Sequence, residues 1–133
     1  MRAQISIDFI IATLVAMSLF SVVFSLYITK NQGVGTVMSS LESQRIGEKL
    51  AWDINRVARG GDGASAEVIV PDRIWGEEYY IFIEGRWVEV VWNHGGTENH
   101  LSTPLMTNNT KGGLFDPGSR LRITNRGGVI EVS

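Results

Sequence analysis

Cysteine is absent, which excludes disulfides and thiolate metal sites and leaves the redox compartment unread. Proline is scarce, three residues against fifteen glycines, so tight glycine turns rather than prolines punctuate the second half of the chain. Histidine occurs twice, as His94 and His100. Those two, with Glu98 in a Gly/Asn-rich stretch, match no zinc-ligand spacing and read as polar surface, so no metal is expected. No Ser/His/Asp constellation and no catalytic pair of carboxylates is apparent, so the residues point away from an enzyme and call for no cofactor. The formal net charge is −2 with no large basic patch, which argues against a nucleic-acid partner. The 133 residues leave room for one long helix and one small domain rather than two full cores.

What the chain does contain is one long uncharged run. Gln4 to Ile28 reads QISIDFIIATLVAMSLFSVVFSLYI, with Asp8 as its only charge, and Phe9 to Thr29 has none. As an α-helix the latter stretch measures roughly 30 Å, the hydrocarbon thickness of a bilayer. Only Met1, Arg2 and Ala3 precede it, and no A-x-A-like site follows it, so a plain cleaved secretory signal is disfavoured. The run is hydrophobic all round and therefore needs lipid or other helices around it. Small residues recur at helical spacing, Ala12 and Ala16 on one side and Ser18, Ser21 and Ser25 on another, faces that let helix backbones approach closely. Arg2 on one flank and Lys30 on the other are compatible with a cytoplasmic amino end.

An Asp at the edge of such a helix is expensive unless neutralised or hydrated. The surrounding residues, Arg2-Ala3-Gln4-Ile5-Ser6-Ile7-Asp8-Phe9, resemble the class III signal peptide of archaeal type IV pilin-like proteins. That pattern is a basic residue, a small one, Gln-x-Ser-x-acidic, then a long apolar helix. Ala3 stands where Gly is common, and Asp8 where Glu is usual. The resemblance implies a prepilin peptidase cutting between Ala3 and Gln4, which removes residues 1–3 as a leader and leaves the apolar helix on the product. Cleavage frees an α-amino group on Gln4, four residues before Asp8, and residues four apart share a helix face. In a low-dielectric filament core that amine needs a carboxylate, from its own chain or a neighbour's.

Gly33-Val34-Gly35 weakens the helix and predicts either a kink or local melting at 33–35, or a short linker between two helices. The helical pattern then resumes to about Ala58 and is stopped by Arg59-Gly60-Gly61. At about 100° per residue, Val34, Val37, Met38 and Leu41 share one face, while Ile46, Leu50, Ile54 and Val57 form a stripe rotated by roughly 120–200° from it. A stripe that changes sides predicts two partners: neighbouring subunits below, the chain's own domain above. Trp52 falls among Arg45, Glu48, Lys49 and Arg56, either as a surface residue with Arg56 stacked over it or, as favoured here, as an interface anchor.

Residues 60–66 (GGDGAS and Ala66) read as a linker, with no P-loop lysine following. From Glu67 the period changes to two, so residues 67–133 form a β-rich head. Glu67–Val70 is expected as a short strand ended by Pro71. Residues 78–83 and 86–92 are expected as a hairpin about Glu84-Gly85, with Ile83 opposite Arg86. Its apolar face, Tyr79, Ile81, Val88, Val90 and Trp92, suits the helix stripe Ile46/Leu50/Ile54/Val57. The other face, Glu78, Tyr80, Phe82, Trp87 and Glu89, suits partial exposure or subunit contact. Residues 93–118 read as loop with one short strand near 101–106. Asn108-Asn109-Thr110 is a glycosylation sequon, meaningful only outside the cell. Arg120–Thr124 and Val129–Val132 form a second expected hairpin, with Thr124 opposite Val129 and Arg122 opposite Glu131.

The expected fold is therefore α+β: an amino-terminal helix over about residues 5–58 carrying a small antiparallel β head. Such an architecture resembles a type IV pilin, by its first thirty residues specifically and by its head only in type. The resemblance implies a membrane-inserted precursor, extraction by a membrane platform protein and an assembly ATPase, and polymerisation with identical subunits. It further implies an extracellular filament used in adhesion or, more rarely, swimming; major pilin, minor pilin and archaellin are not separated. The rival from another class is a single-span membrane protein that displays a β domain and never polymerises. Residues expected to serve assembly are Asp8, Phe9, Ala12, Ala16, Ser18, Ser21, Ser25, Val37, Leu41 and Trp52, with Ala3 and Gln4 for processing and Asn108 for glycosylation.

Overall fold

A computed structural model of the chain describes the backbone of residues 2–133 and the side chains of residues 6–133 apart from Gln32. It has two compact units, one ending at Thr36 and the other Val37–Ser133. One helix, α1 (Arg2–Arg59), supplies all the helical structure among the described residues. It continues through Gly33-Val34-Gly35 without interruption, so neither local melting nor a two-helix linker occurs there. Two glycines cost about 2 kcal/mol relative to alanine, whereas a break would create two new helix ends with unsatisfied backbone groups. The helix stops where expected: the Gly60 amide bonds back to the Arg56 carbonyl at 3.0 Å, and Gly61 follows with φ +81.

The second unit carries eight strands: β1 (Ser65–Ile69), β2 (Tyr79–Glu84), β3 (Trp87–His94), β4 (Thr97–Pro104), β5 (Thr110–Lys111), β6 (Leu114–Phe115), β7 (Arg120–Arg126) and β8 (Val129–Val132). They form two four-stranded sheets, ordered β1-β7-β8-β5 and β4-β3-β2-β6. All pairs are antiparallel except β5–β8, where a short parallel pair closes the first sheet. β1 begins two residues before the expected Glu67, inside the stretch expected as linker, because Ser65 already pairs with Thr124.

Both predicted hairpins form, each two residues out of the expected register. Glu84 pairs with Trp87, so the turn is Gly85-Arg86, with Gly85 at φ +59. A glycine at the first central position fits a II′ hairpin turn, which Glu84 could not provide without strain. In the second hairpin Arg126 pairs with Val129, and Gly127-Gly128 (φ +61 and +86) make the turn. Two consecutive positive φ values are what a type I′ turn needs. Glu131 therefore faces Thr124 rather than Arg122, and its ion pair runs diagonally to Arg126 at 3.4 Å. A slip of two residues preserves which side chains point inward, so the expected inner faces are correct.

The stretch 93–118 is more ordered than expected. His94-Gly95-Gly96-Thr97 closes a third hairpin, and β4 pairs with β3 along eight residues. A single core unites α1 with both sheets. Ile46, Leu50, Ile54 and Val57 from the helix meet Val68, Leu121, Ile123, Ile130 and Val132 of one sheet and Tyr79, Ile81, Ile83, Val88 and Val90 of the other. Val70, Ile74 and Leu105 seal its margins from loops. The helix approaches closely because Ser39, Ser43, Gly47 and Ala51, spaced by four, are buried. A β-carbon on Gly47 would stand 2.7 Å from the Thr103 hydroxyl oxygen and 3.7 Å from Val90.

Candidate assembly surface

In the first unit the helix displays its apolar side chains to the outside. Asp8, Phe9, Ala12, Ala16, Ser18, Ser21 and Ser25 are all exposed, as are the large residues from Ile7 to Ile28. The polar atoms on this stretch are largely turned inward. Thr13 donates to the Phe9 carbonyl at 2.8 Å, Ser18 to Leu14 at 2.8 Å and Ser21 to Met17 at 2.9 Å. These three hydroxyls thus satisfy themselves on their own helix, and from Phe9 to Ile28 the exposed surface carries no charge. This helix is long and apolar enough to cross a membrane by length and composition. Ala3 and Gln4, the expected processing site, have side chains outside the described residues, and so does the amine expected to meet Asp8.

In the second unit the stripe switch is visible directly. Ile46, Leu50, Ile54 and Val57 are buried beneath the sheets, whereas Val37, Met38 and Leu41 are 57, 41 and 50% exposed. The helix of this unit therefore has one face satisfied by its own domain and another left open. Trp52 is 61% exposed, and the Arg56 guanidinium carbon lies 4.9 Å from its ring centroid. Arg56 also reaches Asp53 at 3.4 Å. The stacked surface arrangement is thus formed, and Trp52 keeps most of its area available at the rim of a groove shared with Asn55, Arg59 and Met106.

The outer face of the second sheet carries two more exposed aromatics, Phe82 and Trp87, with Leu114 beside Phe82 on β6. The sequence places Phe82 and Trp87 on the side away from the core, and the register agrees. Trp75, also exposed, sits at φ +48 with its amide donating to the Glu42 carboxylate at 2.6 Å; no pattern in the sequence marks it.

Polar residues of the head mostly have structural partners. Asn125 is buried; its Oδ1 accepts from the Gly128 amide at 3.0 Å, and its Nδ2 lies 3.4 Å from the Val57 and Ala58 carbonyls, tying the hairpin to the helix end. The Tyr79 hydroxyl donates to the Pro71 carbonyl. Burial, then the negative charges of Asp72 and Glu42, push its pKa up to about 12. His100 bridges Glu89 (3.1 Å) and Glu98 (2.9 Å), and His94 lies 3.4 Å from Glu77. Among the described residues no three His, Cys, Asp or Glu side chains converge as a metal site would require. Asn108 is exposed between β4 and β5, while Thr110 of the same sequon is buried in β5. No family model, curated protein or solved structure matches this chain.

Proposed function

We propose that this chain is a structural subunit of an extracellular filament resembling a type IV pilus, inserted in the membrane before assembly and polymerising through α1. The observation that carries the reading is the open helix face Val37/Met38/Leu41. In sequence it lies beyond Lys30, past a run that alone suffices to span a bilayer. Lipid accounts for the uncharged run but not for an apolar face on the head-bearing part of the helix; a second protein surface accounts for both. The Arg2-Ala3-Gln4-x-Ser-x-Asp8 pattern supports processing by a prepilin peptidase, and the family it resembles supplies the expected platform protein, assembly ATPase and adhesive role. Minor-pilin and archaellin-like roles belong to the same reading.

The competing reading is a single-span membrane protein that displays its β head and never polymerises. The self-satisfied hydroxyls of Thr13, Ser18 and Ser21 favour it, because they suit a helix solvated by lipid. The two are separated by Val37→Asp and Leu41→Asp in producing cells, scored by electron microscopy. Loss of filaments with a folded head supports the subunit reading; filaments in normal numbers contradict it.

A further inference from the structure

The outward faces of the two sheets are chemically opposite. The strands of the first sheet contain four cations, Lys111, Arg120, Arg122 and Arg126, against two carboxylates, Glu67 and Glu131. Register sets all six on the side away from the core: Glu67 opposite Arg122, Glu131 opposite Thr124, and Lys111 beside Glu131. Arg120 and Arg126 lie 3.4 Å from Glu67 and Glu131, while Arg122 and Lys111 have no carboxylate within 4 Å among the described residues. The four strands of the second sheet contain neither lysine nor arginine. Their outer side carries Glu84, Glu89 and Glu98, the last two sharing His100 at 3.1 and 2.9 Å, together with the exposed Phe82, Trp87 and Leu114. Because the inner sides of both sheets enter one core, both outer sides face away from it.

We infer that these two faces are the two halves of one contact between copies of this chain, the arginine face of one head docking on the aromatic–carboxylate face of the next. Guanidinium groups stack on aromatic rings and fork onto carboxylates, and each is stronger where water is excluded. Arg and Trp are also the side chains that most often anchor interfaces. Like-on-like docking would bring arginines against arginines on one side and glutamates against glutamates on the other, which disfavours a two-fold dimer. A contact between two different patches is heterologous and repeats from copy to copy. The inference rests on the filament reading for its setting, since the contact is small. A four-stranded face of about 20 by 20 Å gives roughly 800 Å² over both partners, at the low end for protein interfaces. It therefore forms between heads already held together by their helices or by a membrane.

The absence of cysteine makes the test clean. The full chain carrying Ser102→Cys on the acidic face and Thr124→Cys on the basic face is produced in cells, and its membrane and filament fractions are treated with a short bismaleimide. The double variant is expected to give a ladder of dimers, trimers and higher species, and each single variant no dimer. Adding Glu84→Lys and Glu89→Lys to the double variant is expected to abolish the ladder. No ladder from the double variant, or dimers from a single variant, overturns the contact whether or not filaments are present. Filaments are scored in the same preparations by electron microscopy, so a ladder without filaments retains the contact while refuting the filament reading.

Discussion

Ile54→Ala and Leu41→Ala remove the same kind of side chain from the same helix and are expected to differ several-fold in cost. Ile54 has no exposed surface and lies in the core shared by both sheets. Deleting three carbons there loses about 2.4 kcal/mol of transfer free energy at about 0.8 kcal/mol per methylene. The cavity left between helix and sheets adds to this, giving about 3–4 kcal/mol, within the range for such truncations. Leu41 is 50% exposed with no sheet over it, so its truncation leaves no enclosed cavity and costs less than about 1 kcal/mol. For a unit of 97 residues, Val37–Ser133, each kcal/mol shifts Tm by about 4–8 °C. Ile54→Ala is thus expected to melt some 12–30 °C below the parent, and Leu41→Ala within about 8 °C of it. The assay is thermal unfolding of the full chain in detergent, followed by near-ultraviolet circular dichroism, which reports packing around the buried Trp92. Equal shifts for the two variants would refute the division of the helix into a face covered by its own domain and a face left open.

Asp8→Ala preserves the apolar run and the Ala3-Gln4 cleavage site and removes the partner expected for the amine on Gln4. Cleaved, membrane-held chains with few filaments are the expected outcome, with assembly restored by Asp8→Glu; a blot of the membrane fraction beside electron microscopy checks it, since a lone ammonium among packed helices costs several kcal/mol. Tyr79 predicts a pH effect outside the membrane segment. Its phenol is neutral in the folded chain up to about pH 12 but only to about pH 10 when unfolded, so the unfolded state holds fewer protons between those values. Its stabilising contribution is complete below pH 10 and is lost as pH rises toward 12. Phenolate absorbance should show a step near pH 12, and that step should vanish in Tyr79→Phe.

The helix, its two stripes and the inner faces of both hairpins were legible because they rest on periodicity, and periodicity survives a two-residue slip. The registers were not, because turn type decides them. Gly85 and the pair Gly127-Gly128 take the positive φ values that two-residue turns need, and the turns settle on them. The short strand expected near 101–106 overlaps the second half of β4; the first half is not legible for a different reason: β4 is an edge strand, and Thr97-Glu98-Asn99-His100 lacks any apolar alternation. The Gly95-Gly96 pair beside it was the available signal. The close helix–sheet seam was also readable in principle. Ser39, Ser43, Gly47 and Ala51 repeat at every fourth position, but a search for apolar stripes passes over small residues. The exposed side of the candidate surface was the easier part, since Val37, Leu41 and Trp52 fall outside the stripe that the head must cover. The Arg120/Arg122/Arg126 alternation was equally open to reading, whereas the lysine- and arginine-free sheet opposite depended on knowing which strands pair.

The central claim, that α1 is made to be processed and then packed among copies of itself, is tested most directly by the intact mass of the chain recovered from cells. The account predicts a mature protein that begins at Gln4 and retains the whole apolar helix. A chain still carrying Arg2-Ala3, or one cut after Ile28, would contradict it.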